Sequence, residues 1–185
     1  MITALRRLYF VRFGFAVVWA ALVVATGSEL GALGTTLLVV YPLFDVGAAV
    51  VDARSSRPVA GLPVGGLPVA GLYVNIVISL LAAAGLAFAG ASGVPAVLRV
   101  WGAWAVAAGL VQLVVAVGRR RLGGQWPMIL SGGLSTIAGT TFVLQAGSSD
   151  PTLNSLAGYA TLGGIFFLVS AIRLRRAAPE RVPAG

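Results

Sequence analysis

The sequence predicts an all-α membrane protein: six transmembrane helices folded as three antiparallel hairpin repeats, with both termini cytoplasmic. Three observations lead there. The 185-residue chain is 58% hydrophobic and only 10% charged, with a mean hydropathy of +0.97, which lies outside the range of soluble globular domains. It divides into six apolar segments, each near the ~20 residues needed to cross a bilayer core of about 30 Å. Arginine, the only basic residue type present, gathers at alternate ends of those segments. A single six-helix domain over 1–176 follows, with hairpins at about 8–53, 69–118 and 126–174 and a disordered cytoplasmic tail over 177–185.

The first segment, about 8–26, follows Arg6 and Arg7 and so looks like the start of a signal peptide. Its apolar run is long, it lacks an Ala-x-Ala end, and five further spans follow, so a retained helix is expected. Arg12 lies about one turn inside this helix, where its guanidinium can snorkel to headgroups. The next connection, Gly27-Ser28-Glu29-Leu30, has room only for a tight antiparallel hairpin.

The second segment, about 31–53, is the centre of the pattern. Pro42 removes one backbone donor there and is expected to kink the helix. Asp45 stands in its middle, where an ionised carboxylate costs at least ~2.5–3.5 kcal/mol. It must therefore face the bundle, be paired, or be protonated, and the obvious partner is Arg12, on the neighbouring antiparallel helix at a similar depth. The stretch 55–68 is rich in Pro and Gly and reads as a surface linker.

Segment three, about 69–90, contributes Asn75; segment four, about 95–118, contributes Arg99, Trp101, Trp104 and Gln112 and stops at Arg119-Arg120-Arg121. Trp101 and Trp104 are expected to serve packing and the outer aromatic belt. Trp126-Pro127 opens segment five, about 126–147, with the ring at the interface and proline in the first turn. Asp150 is expected to cap segment six, about 152–174.

With the N-terminus inside, the connections near 27–30, 91–94 and 148–151 contain no Arg, while nearly all Arg falls on the other side. The positive-inside rule then places both termini in the cytoplasm. The net charge of +8 belongs to membrane topology and lipid headgroups, and no nucleic-acid partner is expected.

The even segments align as Tyr41-Pro-Leu-Phe-Asp45-Val46, Trp104-Ala-Val-Ala-Ala108-Gly109 and Tyr159-Ala-Thr-Leu-Gly163-Gly164, each leading about two turns later into Arg. The odd segments carry small residues seven apart, Gly14/Ala21 and Gly132/Gly139, on one helix face, where they permit close helix contact in lipid. Two spans per unit make these parallel repeats about a pseudo-threefold axis along the membrane normal.

Arg12-Phe-Gly14, Tyr41-Pro-Leu-Phe-Asp45, Gly102-Ala-Trp104 with Gly109, and the stretch 126–176 with Ile129-Leu-Ser-Gly132 and Gly158-Tyr159 together resemble the HdeD-like family of short-repeat bacterial membrane proteins. The resemblance implies a six-helix bacterial inner-membrane protein, linked in some members to acid resistance, without an established molecular activity; a role in envelope stress is an expectation for this chain.

Two sets of candidate residues emerge. Arg12, Asp45, Asn75 and Gln112, with Ser131 and Ser170 at comparable depth, make an intramembrane polar layer. It reads either as a proton or solute site or as a polar lock that keeps the helices in register. Arg99, Arg119, Arg120 and Arg121 are candidates for lipid phosphate, with Arg99 placed also to pair with Glu29. Without His, Cys or Lys, the usual triads, thiolate nucleophiles and Schiff bases have no residues to work with, and the five acids are scattered. No catalytic role, metal or cofactor is expected. The expected partners are the lipid bilayer and either another membrane protein or a second copy of the chain. The leading expectation is therefore a non-enzymatic accessory protein acting through lateral protein or lipid contacts. The alternative is a small proton-coupled transporter or channel using Asp45.

Overall fold

In a computed structural model, which describes residues 2–26, 30–55, 67–122 and 125–176, six helices account for nearly all of the chain. They are α1 (Ile2–Ala25), α2 (Ala32–Ser55), α3 (Leu67–Ala89), α4 (Val94–Gly118), α5 (Trp126–Gln145) and α6 (Asn154–Arg176). Each has an apolar window long enough to cross a membrane, and no strand occurs among the described residues. At 20–25 residues and 1.5 Å per residue the helices are about 30–38 Å long. The surface linker expected over 55–68 and the tail over 177–185 fall largely or wholly outside the described residues, as do Gly27, Ser28 and Glu29.

Several boundaries differ from the expected ones for local reasons. Helix α1 begins at Ile2, so Arg6 and Arg7 belong to its first turns. Helix α2 runs unbroken through Pro42, which is buried. Helix α6 begins at Asn154, and Asp150, exposed and four residues earlier, does not cap it; Pro151 stands outside the helix. Pro95 and Pro127 sit in the first turns of α4 and α5, where a missing N–H costs nothing.

The helices close into a ring in chain order, with α6 returning to α1. Leu5 and Tyr9 at the start of α1, Met128 at the start of α5, Ala116 at the end of α4 and Leu174 at the end of α6 form one cluster, so both ends of the described chain lie at the same end of the bundle. The Arg-rich ends of α2 and α4 are there too.

The closest seams are not the expected hairpins. Helix α4 packs most extensively on α5, α1 on α6 and α2 on α3, whereas α1/α2 and α5/α6 are the loosest neighbouring pairs. Side-chain size explains this. At α4/α5, Gly102 faces Gly139 and Gly109 faces Gly132; a Cβ on Gly139 would lie 2.5 Å from the Gly102 carbonyl oxygen, and one on Gly109 2.8 Å from that of Gly132. Two pairs of glycines seven apart thus let the backbones touch. At α1/α6 the small partners are Ala16 and Gly164. The Gly14/Ala21 pair expected to do this work is instead exposed, and nothing lies within 4 Å of a Cβ on Gly14. Between α1 and α2, bulky rings hold the helices apart: Phe15 stacks on Phe44 at 3.7 Å, and Trp19 meets Tyr41 edge-on at 4.7 Å.

The half of the bundle away from the Arg-rich end is filled by the largest core cluster, with Trp19, Trp101 and Trp104 at its heart. Trp101 is fully buried and Trp104 nearly so, so neither belongs to an outer belt. Trp126 is 67% exposed, as an interfacial ring would be. Trp19 donates from Nε1 to the Leu37 carbonyl at 2.7 Å. Trp19→Phe is expected to lower stability in detergent by about 1 kcal/mol through loss of this bond, read as a shift in thermal unfolding.

Candidate functional site

Beneath the aromatic plug the ring encloses a cavity of about 110 Å³ to which all six helices contribute. Its size and polarity follow from which residues turn inward. Tyr41 on α2, Trp104 on α4 and Tyr159 on α6, the three aromatic residues that align in the sequence, all reach it.

Asp45 is the hub of the deeper part. Its Oδ1 accepts from Arg12 Nη2, and its Oδ2 accepts from Asn75 Nδ2 at 2.5 Å and from Ser79 Oγ at 2.9 Å. Ser79 Oγ in turn accepts from Trp104 Nε1 at 3.0 Å. One carboxylate therefore ties α1, α2, α3 and α4 together. The Arg12 guanidinium also lies over the Phe167 ring of α6, 4.7 Å from its centroid, which adds a fifth helix. A buried charge is tolerable only when its lone pairs are satisfied in this way.

Gln112 lines the same cavity but does not join Asp45; its Nε2 donates to the Met128 carbonyl at 3.1 Å and so bridges α4 and α5. Ser131 is on the cavity wall, whereas Ser170 is buried in the bundle away from it. On the α5/α6 side Ser135 Oγ lies 3.0 Å from the Ala105 carbonyl and 2.5 Å from the Tyr159 hydroxyl. Since the single Ser135 hydroxyl proton goes to the carbonyl, Tyr159 is the donor to Ser135.

Nearer the Arg-rich end a second ion pair closes the wall. Arg119 Nη1 donates to Asp52 Oδ2 at 2.7 Å, and Arg119 is only 6% exposed. This corrects the expectation that Arg119 faces lipid phosphate, because its guanidinium turns into the bundle to neutralise Asp52. Arg120 and Arg121 are exposed in the short 3₁₀ turn Arg120–Leu122, and Arg99 is exposed near the start of α4. Its suggested partner Glu29 lies outside the described residues. Arg119→Met is expected to cost about 3 kcal/mol, because it takes the counter-charge from the buried Asp52 carboxylate, measured by thermal unfolding in detergent.

Sequence reasoning missed Asp52, Ser79, Trp104 and the Ser135–Tyr159 pair as members of the site. Asp52 follows Asp45 by seven residues and Ser79 follows Asn75 by four, spacings that put each on its neighbour's helix face. Those two were findable. Tyr9 and Gln125, whose side chains are hydrogen-bonded, complete the wall near the second ion pair. No group of three or more metal-ligating side chains occurs among the described residues.

Comparison with protein-family models, curated proteins and solved structures gives no match for this chain.

Proposed function

We propose that the protein is a non-enzymatic, six-helix protein of the bacterial cytoplasmic membrane, HdeD-like in type, with both termini cytoplasmic. It acts as an accessory or envelope-stress protein through lateral contacts with lipid or another membrane protein. The observation that carries this reading is the use made of the intramembrane charges. Asp45 is held by three donors and Asp52 by Arg119, so each carboxylate is committed to joining helices. The orientation rests on the clustering of Arg6, Arg7, Arg54, Arg119, Arg120, Arg121 and Arg173 toward one end of the bundle.

Native mass spectrometry of protein extracted gently from its own membranes tests the proposal. A stoichiometric lipid or protein partner is the expected result; a bare chain with measurable catalytic turnover would sink it.

One observation favours a second reading, a proton-coupled transporter or channel: the cavity extends to Asp45 and holds room for several waters. Under that reading Asp45→Asn abolishes flux in proteoliposomes while the helices stay assembled. Under the leading reading wild type shows no flux and Asp45→Asn loses thermal stability.

A further inference from the structure

We propose that the groove between α5 and α6 is a lateral binding site for the alkyl chain of a single-chain amphiphile, whose uncharged polar head the central cavity receives. The inference deepens the lateral-contact reading above and rests on it.

The groove has a volume of about 270 Å³ and runs along both helices from Ser131 to Phe142 on α5 and from Ser155 to Phe166 on α6. At 1.5 Å per residue that stretch of α5 covers about 16 Å of membrane depth. Its floor and rim are apolar and open to the lipid side, with Leu134 and Leu162 both more than two-fifths exposed. The other loose seam, α1/α2, is packed solid by Phe15, Trp19, Tyr41 and Phe44. At α5/α6 small side chains, Ala138 and Gly158, leave the space unfilled, and nothing lies within 4 Å of a Cβ on Gly158. Each of these helices is anchored on its far side, α5 to α4 and α6 to α1, so the gap persists without loosening the ring. A slot at hydrocarbon depth that protein does not fill is filled by hydrocarbon.

The polar half of the argument is the wall at the inner edge of the groove. Ser131, Ser135, Tyr159 and Gly163 line both the groove and the central cavity, and the Tyr159–Ser135 hydrogen bond stands between them. The shared wall thus sets an apolar slot beside a polar chamber, the combination an amphiphile matches. The charges lining the chamber neutralise one another as Arg12–Asp45 and Arg119–Asp52, so a charged head would enter uncompensated while a hydroxylated one finds hydrogen-bonding groups. The chamber, about 110 Å³, suits a small hydroxylated head such as a glycerol unit.

The test uses a monoacylglycerol with a diazirine in its acyl chain, added to the purified full chain in detergent, irradiated and mapped by peptide mass spectrometry. Saturable labelling of α5 and α6 along the groove is expected. Gly158→Phe and Ala138→Trp, which fill the slot from opposite sides, are each expected to reduce that labelling about tenfold or more, with melting temperatures showing that the variants are folded. Tyr159→Phe, which keeps the ring and removes the bond, is expected to speed labelling severalfold. Equal labelling of wild type and both folded, filled variants overturns the groove as the site while leaving lateral lipid contact standing. Absence of saturable labelling anywhere on the protein also overturns the groove as the site, whereas the lateral-contact reading falls only if native mass spectrometry shows neither lipid nor protein partner.

Discussion

Asp45→Ala is expected to destabilise the protein by about 4 kcal/mol, more than any other side-chain truncation in the cavity. The loss is not simply that of an ion pair. Removing the carboxylate leaves the Arg12 guanidinium inside the bundle without its counter-charge, and it strands Asn75 and Ser79, which donate to the same group. Helices α1, α3 and α4 lose their common anchor on α2 in one step. The double variant Arg12→Met/Asp45→Leu removes both charges and is expected to lose less than the sum of its single variants, although Asn75 and Ser79 still lack their acceptor. Thermal unfolding of Arg12→Met, Asp45→Leu and the double variant in one detergent checks this. Additive losses in the double variant would show that the two residues do not act as a pair.

Gly139→Ala is expected to cost about 3 kcal/mol, the upper end for overpacking, although it adds one methyl group. The new Cβ would lie 2.5 Å from the Gly102 carbonyl oxygen and 2.7 Å from the Val106 nitrogen, both backbone atoms of α4. A side chain could rotate away, but a helix backbone must move as a body, and α4 is also pinned one turn pair further along at Gly109 and Gly132. Gly133→Ala is the control: nothing lies within 4 Å of a Cβ there, and its effect is expected to stay within about 0.5 kcal/mol. Melting temperatures together with the yield of monodisperse protein on extraction report both outcomes.

How far the sequence spoke depended on the range of the physics involved. Six membrane-crossing helices were legible because each is set by a local property, an unbroken apolar run bounded by Arg, Gly or Pro. The juxtaposition of Arg12 and Asp45 was legible because two charges at equal depth in lipid have few places to go. The seams were not. Gly14 and Gly132 look alike in sequence, yet one faces outward and the other meets a backbone, because the choice depends on what the opposing helix offers. Arg119 is likewise one of three consecutive arginines, and nothing local marks it as the one that turns inward to Asp52. Trp104 read as packing, which it is, but its Nε1 also reaches the Asp45 network through Ser79, a partner that nothing in its own segment marks.

The extensive α1/α6 seam also sets an order of events. In chain order α1 comes first of the six and its principal partner comes last. Until then α1 has only the ring-filled seam with α2 to lean on, and the groove of Ala16 that will receive Gly164 faces lipid. Ring closure is therefore a late step that joins the segments furthest apart in the chain. The half-made bundle must be held by Asp45 and its three donors while it waits.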